Sequence, residues 1–597
     1  MTTATLDKDA LKKKYAEERD KRLRTDGNAQ YQRLEGKFED LATDPYTPLK
    51  ERAPVTDHVT FAFIGGGFAG LVVGARLKEA GVESVRIIEK GGDFGGTWYW
   101  NRYPGAQCDT AAMIYLPLLE ETGHMPSHKY VYAPEIRQHC GNIGQQFDLY
   151  KDALFHTEVT ALEWQADTSR WLIETSRGDA FTAKYVGMGT GPLHVAKLPG
   201  IEGIETFKGK SFHTSRWDYA YTGGSPDGDP MDKLKDKRVA IIGTGATAVQ
   251  CVPHLAKAAK ELLVFQRTPS SVDKRNNEPI DREWFDSIAT PGWQKRWFDN
   301  FVDNQSQGFP EEDYVMDGWT ELSRRIREKV RQMPPDQWTP EGMLQAFEDA
   351  DFEKMEEIRH RCEEVVADQD TAEKLKAWYR QLCKRPCFHD EYLQAFNEPG
   401  ARLIHTDGKG VEKITETGLV SNDEHYEVDC IVYASGFEVG SDYTARAGFD
   451  LTGRDGVKLS EAWADGMQTL HGLHVNGFPN AFIVQPSQAA NLISNVPHNI
   501  VDHANTISAV VAHAEREGFT EIEPDPNAQK AWVELILSGQ GMLIGTTECT
   551  PGYYNNEGAG VTDKNRHQMG HPLGAKAFFH HIAAWRDKGA YQGLNFS

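Results

Sequence analysis

Short apolar runs alternate with helix-period segments along most of the chain. Residues 59–64 form an apolar run rich in Phe and β-branched side chains, and residues 71–80 repeat apolar positions at helical spacing. A glycine-rich turn joins these two segments, and a second apolar run follows at 85–88. This order predicts a β-α-β unit in a parallel sheet.

The same order of elements returns later in the chain. Residues 238–242 predict a strand, 248–259 a helix and 262–265 another strand, with a glycine turn before the helix. Residues 430–434 form a further strand-like run. Residues 278–382 instead contain long charged amphipathic stretches, several Trp and no strand-like run, which predicts a helical insertion.

Residues 1–56 carry dense mixed charge and end in a Pro-containing stretch, so we expect one or two exposed helices followed by a linker. The predicted fold class is therefore α/β, with two Rossmann-like dinucleotide-binding domains, a helical insertion and an N-terminal helical extension.

The composition is that of a folded protein with several domains. The chain has 597 residues, of which 39% are hydrophobic and 26% charged, and about 150 residues per domain suggests three or four domains. The formal net charge of −23 repels phosphate backbones and argues against nucleic acid as a partner. No run is long and apolar enough for a membrane span, and no secretory signal is visible, so we expect a cytoplasmic protein without a membrane partner.

The cysteines do not indicate a disulfide scaffold or a metal site. The chain contains 8 cysteines without a framework spacing, and a scaffold of disulfides is not expected. Cys383 and Cys387 are the nearest pair, but no second pair or clustered His accompanies them, so no metal is expected.

The first glycine turn carries the dinucleotide-binding pattern G-x-G-x-x-G at Gly65, Gly67 and Gly70. Gly65 permits the tight turn, Gly67 lets a pyrophosphate approach the backbone, and Gly70 lets helix and strand pack closely. The helix N-terminus then stabilises the phosphate charge. Glu89 follows about twenty residues later, where an acid accepts hydrogen bonds from a ribose. A glycine turn in an unrelated α/β sheet is the alternative.

The second glycine turn is Gly243-Thr244-Gly245-Ala246-Thr247, with Ala248 at the third glycine position, a replacement that the pattern allows. The next strand leads into Arg267 and Thr268 instead of an acid. Because a guanidinium pairs with a 2′-phosphate, the second site is predicted to bind NADP(H) in preference to NAD(H). The alternative is that Arg267 is an ordinary surface arginine.

Two dinucleotide sites favour hydride transfer from a nicotinamide to a flavin, so FAD is expected at the first site. A redox C-x-x-C pair is missing from the sequence, which leaves dioxygen as the favoured electron acceptor. Both nucleotide-binding domains are expected to be discontinuous in sequence. The expected segments are the N-terminal extension and linker at 1–56, the first stretch of the FAD-binding domain at 57–200, the first stretch of the NADP-binding domain at 201–277, the helical insertion at 278–382, the second stretch of the NADP-binding domain at 383–428, and the second stretch of the FAD-binding domain with the C-terminal segment at 429–597.

Two longer patterns resemble those of the type I flavin-dependent Baeyer-Villiger monooxygenases. The signature F-x-G-x-x-x-H-x-x-x-W, followed by Pro or Asp, is matched by Phe207, Gly209, His213, Trp217 and Asp218. The pattern G-G-x-W-x-x-x-x-Y-P-G-x-x-x-D is matched by residues 95–109. The resemblance extends from about residue 60 to the C-terminus. Related flavoenzymes that oxygenate nitrogen or sulfur usually carry Phe or Tyr where this chain has Trp217.

The resemblance implies an FAD-containing enzyme that uses NADPH and dioxygen to convert ketones, expected to be cyclic, into esters or lactones through a peroxyflavin. Arg385 matches the active-site arginine of the family, and Asp109 matches the carboxylate that pairs with it. An arginine suits this role because its charge persists at any working pH. Lys384 is expected to join Arg267 and Thr268 around the 2′-phosphate.

Several other positions acquire expected roles from the same resemblance. His213 is expected to act structurally between the two domains. Asn491, Leu492 and Ile493 resemble a loop that lines the substrate pocket. Residues 549–556 and the N-terminal extension look like the branch that acts on large-ring, bicyclic or steroid-like ketones. The residues expected to contact cofactors are Gly65, Gly67, Gly70, Glu89, Gly96, Thr97, Trp98, Asp109, Gly243, Thr244, Gly245, Ala246, Thr247, Arg267, Thr268 and Lys384.

Two other functions remain open at this point. An N- or S-oxygenating flavin monooxygenase is the nearer alternative, and a flavoprotein that relays electrons without oxygenating a substrate is the more distant one. Trp217 argues against the first, and the pair of Arg385 and Asp109 argues against the second. The sequence leaves open the natural ketone, the selectivity and the oligomeric state.

Overall fold

The structure is a computed structural model that describes residues 7–597 except 33, 35, 307–309, 440–441, 486, 491–494 and 540–546. The mixed α/β class predicted from the sequence is confirmed. Within the described residues, none of the helices combines the length and apolar character needed to cross a lipid bilayer.

A seven-stranded sheet contains the first predicted β-α-β unit. The strand His58–Ile64 pairs in parallel with Val85–Ile88 on one side and with Ala180–Met188 on the other. Antiparallel pairing then adds two neighbouring strands, and two late strands join in parallel. These four are Val159–Gln165, Arg170–Thr175, Leu451–Thr452 and Ala481–Ile483.

A five-stranded, fully parallel sheet contains the second unit. Its strands, in spatial order, are Ala401–His405, Glu261–Gln266, Arg238–Ile242, Cys430–Tyr433 and Lys210–His213. The register places Ile241 beside Val264 and Val432, and all three side chains are buried. Continuous apolar strands of this kind are typical of parallel sheets that are covered on both faces.

Four small sheets complete the strand pairing of the described residues. They contain Tyr31–Gln32 with Leu198–Pro199, Val272–Asp273 with Cys387–Phe388, Lys413–Ile414 with Gly418–Ser421 and Glu424–Glu427, and Ile522–Pro524 with Leu594–Phe596.

Helices cover both large sheets and fill the region between residues 282 and 375. The longer helices are Lys8–Asp20, Phe68–Glu79, Ala133–Gln146, Ala246–Ala258, Arg282–Ile288, Trp293–Gln305, Gly318–Gln332, Pro340–Val365, Gln369–Leu375, Val496–Glu517, Pro526–Leu537 and Gly574–Asp587. Single-turn helices lie at Thr97–Trp100, Ala112–Tyr115, Leu119–Thr122, Tyr219–Thr222, Tyr443–Ala447, Leu459–Ala462 and Asp563–Arg566.

Both nucleotide-type helices begin earlier than the sequence pattern predicts. They start at Phe68 and Ala246, so Gly70 and Ala248 lie inside the first helical turn. The early start follows from the glycine turns, because Gly67 and Gly245 take the N-cap positions and leave the first backbone N–H groups free to face a ligand.

The N-terminal segment is packed against the rest of the chain. Tyr15, on the helix Lys8–Asp20, accepts a hydrogen bond from Arg359 at 3.0 Å, and Lys12 pairs with Glu348 at 2.9 Å. Tyr31–Gln32 then pairs antiparallel with Leu198–Pro199. The extension therefore crosses from the helical region between residues 282 and 375 to the segment that joins the two large sheets.

Candidate active site

The first glycine turn brings two backbone segments close together at the start of the helix Phe68–Glu79. Gly65 has φ 110°, a conformation that favours glycine. Gly96 has φ 52°, and a Cβ atom on it would lie 2.7 Å from the Cα atom of Gly67. Glycine at position 96 is therefore required for these two backbone segments to approach so closely. The turn thus has the shape that a pyrophosphate needs against a helix N-terminus.

Glu89 lies directly beneath this turn, at the end of the strand Val85–Ile88. Its Oε2 atom accepts a hydrogen bond from the Gly66 N–H at 2.5 Å, and its Oε1 atom accepts one from Gly91 at 2.7 Å. Burial raises the pKa of Glu89, and the two backbone donors oppose the rise. A carboxylate has room for further donors on both oxygens, so these bonds are compatible with the predicted ribose contact.

Trp98, in the single-turn helix Thr97–Trp100, packs inside the protein. Its Nε1 atom donates a hydrogen bond to the Tyr115 hydroxyl at 2.9 Å. The two rings pack edge to face, with 5.8 Å between their centres. Trp98 is only 8% exposed. The contact with the flavin expected for this residue stays a prediction.

The second glycine turn repeats the geometry of the first. Gly243 has φ 114°, and a Cβ atom there would meet the Ala434 carbonyl oxygen at 2.5 Å. A Cβ atom on Gly245 would meet no atom within 4 Å, so the side of the turn that faces outward is open. Thr244 donates from its hydroxyl to the Thr268 carbonyl at 2.7 Å, which ties the turn to the end of the following strand.

A group of basic side chains surrounds the end of that strand. Arg267 and Lys384 were expected there from the sequence, and Lys197 joins them. Burial is the main reason that the pKa of Lys384 falls to about 8, and the positive charge of Arg267 adds to it. Burial also lowers the pKa of Lys197. Concentrated positive charge in a partly dehydrated site favours a multiply charged anion.

One acidic side chain lies inside this basic group. Glu557 approaches Lys197 and Arg267, with a nitrogen-to-oxygen distance of 3.8 Å in each case. Lys197 and Glu557 were not found from the sequence. Nothing in the local sequence marks either residue, because they come from segments far from each other and from Arg267.

Arg385 and Asp109 form a bidentate ion pair, as the family resemblance implied. The Nη1 and Nη2 atoms of Arg385 donate to the two carboxylate oxygens at 2.7 Å and 2.6 Å. The Asp109 side chain is 3% exposed, whereas that of Arg385 is 34% exposed. Burial lowers the pKa of Arg385, but the charge of Asp109, its hydrogen bonds to the guanidinium and the nearby Tyr553 and Cys387 together outweigh burial, so the net pKa is raised. Arg385 is therefore a permanent cation, anchored on one side and open on the other.

Trp319 holds this pair from the helical region. Its Nε1 atom donates to the Asp109 carbonyl at 2.8 Å, and its ring centre lies 5.5 Å from the Arg385 guanidinium, within range of a cation–π contact. Trp319 belongs to the helix Gly318–Gln332. Sequence reasoning missed this residue because Trp319 belongs to none of the recognised motifs.

A disulfide fastens the C-terminal segment beside Arg385. Cys383 is joined to Cys549 across a sequence separation of 166 residues, while Cys387, its nearest neighbour in sequence, is free. A single bond is not a scaffold, but the sequence did not predict this pairing. Spacing gave no hint of this pairing because the two residues meet only in the folded chain. Tyr554, which follows Cys549, has its pKa raised by burial, and the nearby charge of Arg385 opposes the rise.

The signature residues lie around the end of the strand Lys210–His213, at one edge of the five-stranded sheet. His213 is fully buried, and its Nδ1 atom accepts a hydrogen bond from the Ser215 N–H at 3.2 Å. Its ring contacts Phe437 at 5.5 Å, just after the strand Cys430–Tyr433. Trp217 donates to the Thr222 hydroxyl at 3.2 Å. Burial lowers the pKa of His213 to about 3, so the ring is neutral at working pH.

Phe207 and Gly209 pack against each other at the start of the same signature. A Cβ atom on Gly209 would meet the Phe207 ring at 2.5 Å and the Asp429 carbonyl at 2.7 Å, so glycine is required there for close packing. Asn491, Leu492 and Ile493 lie outside the described residues. Among the described residues, no group of three or more His, Cys, Asp or Glu side chains is arranged to hold a metal ion.

The chain is similar in sequence to known enzymes over nearly its whole length. A family model described as an NAD(P)-binding Rossmann-like domain matches residues 64–126, which contain the first glycine turn. Neopentalenolactone D synthase of Streptomyces avermitilis is 48% identical over 557 residues, covering 93% of this chain and 93% of the relative. A Baeyer-Villiger monooxygenase of Streptomyces coelicolor is 46% identical over 585 residues, covering 97% of this chain and 95% of the relative.

A solved structure supports the same conclusion at the level of the whole fold. The polycyclic ketone monooxygenase from the fungus Thermothelomyces thermophila matches with a TM-score of 0.90 and 36% sequence identity, covering 99% of both chains. The N-terminal and C-terminal segments of this chain are therefore within the region of similarity.

Proposed function

The chain belongs to the flavin-dependent Baeyer-Villiger monooxygenases. We propose which of its residues carry out the reaction and which ketones it accepts. It is an FAD- and NADPH-dependent enzyme that oxygenates ketones. The predicted reaction class and cofactors are thereby confirmed. The roles of individual residues, the substrate branch and a cytoplasmic location stay predictions.

The first glycine turn is our proposed FAD site. The close approach of Gly67 to Gly96, together with Glu89 beneath the turn, supports this assignment because a side chain at position 96 would clash with Gly67, and because a glycine turn before a helix lets a pyrophosphate approach the backbone. Thr97 and Trp98 follow Gly96 directly, in the single-turn helix Thr97–Trp100. Bound FAD supplies the acceptance of hydride from NADPH and the activation of dioxygen.

The second glycine turn is our proposed NADP(H) site. The open face of Gly245 leaves room for the pyrophosphate, and Thr244, Ala246 and Thr247 line the same turn. Arg267, with Thr268, Lys384 and Lys197 nearby, would bind the 2′-phosphate through charge-assisted hydrogen bonds.

The Arg385–Asp109 pair is the observation that carries the mechanism. Asp109 follows the first nucleotide unit in sequence, and Arg385 follows the second, so the pair joins the two at one point. The exposed side of the guanidinium can stabilise negative charge that develops on oxygen when the ketone carbonyl is attacked. Asp109 fixes the guanidinium in place, and Trp319 packs beside it.

For the substrate, we propose bulky cyclic ketones, of the polycyclic or large-ring kind. The support is the match over nearly the whole chain to a polycyclic ketone monooxygenase. Residues 549–556, which sequence analysis associated with the same branch, lie beside Arg385 through the Cys383–Cys549 bond. A pocket distinguishes substrates by about 1–3 kcal/mol per methylene, so a graded set of rings is informative.

The test uses purified FAD-loaded protein, NADPH and ¹⁸O-labelled dioxygen with monocyclic, polycyclic and open-chain ketones and one aryl sulfide. We expect a lactone with a single labelled oxygen, formed fastest from polycyclic ketones. Faster turnover of small monocyclic ketones would contradict the substrate proposal alone. Sulfoxide formation without any ester would contradict the assignment of Trp217 and Arg385 to ketone chemistry.

A further inference from the structure

Glu557 lies at the centre of the basic group that the proposed function assigns to the 2′-phosphate. Its Oε1 atom lies 3.8 Å from the Lys197 Nζ atom, and its Oε2 atom lies 3.8 Å from an Nη atom of Arg267. The residue is only 5% exposed. Among the described residues, its Oε2 atom has no hydrogen-bond partner. A buried carboxylate oxygen without a donor is costly, so its position requires an explanation.

The fold holds Glu557 in this position from two directions. The Tyr31 hydroxyl donates to Oε1 at 3.3 Å, and Asn28 donates to the neighbouring Asn556 side chain at 2.6 Å. Both donors come from the N-terminal extension. On the other side, the Cys383–Cys549 bond anchors the segment that carries Glu557.

The backbone at Glu557 is strained. Asn556 and Glu557 have φ 52° and 54°, and this left-handed region disfavours a side chain such as glutamate because its Cβ atom approaches the following carbonyl oxygen. Conformations of this kind persist where surrounding contacts impose them and are frequent at functional sites.

The charges explain what the carboxylate does there. Arg267, Lys197 and Lys384 are three cations around one buried acid, and the pKa of Lys384 responds both to Arg267 and to Glu557. An approaching 2′-phosphate carries negative charge into the same space. A carboxylate and a phosphate repel each other at such distances, so they compete for the same cations.

We propose that Glu557 tunes the affinity for the coenzyme: its carboxylate occupies the place of the 2′-phosphate in the free enzyme and must withdraw when the coenzyme binds. This inference rests on the proposed NADP(H) site. Without the acid, the three cations would repel one another in the free protein. With it, they are held in position, and every ligand that carries a 2′-phosphate has to displace the carboxylate. A ligand without that phosphate leaves Glu557 in place.

The experiment measures binding, not turnover. FAD-loaded wild type and Glu557→Gln are titrated calorimetrically with 2′,5′-ADP and with 5′-AMP. We expect Glu557→Gln to bind 2′,5′-ADP about tenfold more tightly, because the competing charge is gone, and to bind 5′-AMP as the wild type does. Glu416→Gln is the matched control, because it removes an exposed carboxylate paired with Lys208 at 2.6 Å, and its affinities should not change.

Two further variants separate the possible failures. Arg267→Gln should weaken 2′,5′-ADP binding; if it does not, the proposed NADP(H) site itself is wrong. If Arg267→Gln weakens binding but Glu557→Gln binds 2′,5′-ADP equally or less tightly, the acid only positions the cations and the inference is overturned. Should Glu557→Gln fail to fold, Tyr31→Phe loosens the same carboxylate and should tighten 2′,5′-ADP binding by a smaller factor. Unchanged binding in that variant would also overturn the inference.

Discussion

The two Nη atoms of Arg385 donate hydrogen bonds to the two carboxylate oxygens of Asp109 at 2.6–2.7 Å, although 276 residues separate the two residues in sequence. The acid is buried and the base is partly open, so the pair presents one fixed positive charge outward. Because each partner follows a different nucleotide-type turn, a shift of one unit relative to the other would disturb the pair. The geometry thus couples the arrangement of the two units to the charge proposed to act on the ketone.

Arg385→Ala should retain FAD and still be reduced by NADPH, because the variant leaves both glycine turns intact. Ester formation should fall by about 10²–10³-fold, the usual effect of removing one group that stabilises developing negative charge. Anaerobic bleaching of the flavin by NADPH measures the first step, and product mass measures the second. Trp338→Phe, far along the helical region and 64% exposed, is a matched control. Ester formation near the wild-type rate would refute the role of Arg385.

His213→Ala should reduce coupling without removing either cofactor. The ring packs against Phe437 and bonds to Ser215 beside the ends of two paired strands of the five-stranded sheet. If His213 acts between the two nucleotide-type units, as the family resemblance implies, its loss loosens their relative position. We expect slower turnover and a larger share of NADPH oxidation that ends in hydrogen peroxide. The measurement compares NADPH consumed with lactone formed. His213→Asn, which keeps a polar acceptor, should recover some of the coupling; full coupling in His213→Ala would contradict the structural role.

Lys384 should make coenzyme affinity depend on pH. Burial lowers its pKa to about 8, so the ammonium is present below that pH and is lost as the pH rises through it. Binding of 2′,5′-ADP should therefore weaken above pH 8, by at most about tenfold per pH unit for one proton. The affinity for 5′-AMP, which has no 2′-phosphate, should stay flat.

Lys384→Arg provides the control for this pH dependence, because the guanidinium does not titrate in this range. Its 2′,5′-ADP affinity should be independent of pH between 7 and 9. A wild-type profile that is equally flat would show that Lys384 does not contact the phosphate.

The sequence predicted local features well, but it predicted poorly the contacts between residues that are far apart in the chain. Each strand, glycine turn and helix of the nucleotide-type units is specified by a few neighbouring residues, so the turns at Gly65 and Gly243 were found where the structure has them. Arg385 and Asp109 required a family pattern, because an isolated charge is more often a solvated one. Trp319, Lys197, Glu557 and the Cys383–Cys549 bond are contacts between segments far apart in sequence, and periodicity does not report such contacts.

Acid should destabilise the protein through a set of buried neutral histidines. Burial lowers the pKa of His474 and His498 to about 3 and that of His503 to about 4. The unfolded chain binds protons at these positions from about pH 6.5 downward, whereas the folded chain does not. The contribution of these histidines to the free energy of unfolding is therefore complete above pH 6.5. It falls as the pH drops, by about 1.4 kcal/mol per pH unit for each such histidine.

The variant His498→Phe measures the contribution of one of these histidines to the pH dependence of stability. The imidazole is stacked between Phe579, at 3.9 Å, and Phe298, at 5.0 Å, so a phenyl ring keeps the stacking and removes the titration. Potentiometric measurement at pH 5 should show about one proton fewer taken up on unfolding than in the wild type. Leu573→Ala, at a position that is 78% exposed and carries no titrating group, is the control, and its proton uptake on unfolding should equal that of the wild type. Equal proton uptake by the wild type and His498→Phe would mean that His498 is already protonated in the folded protein.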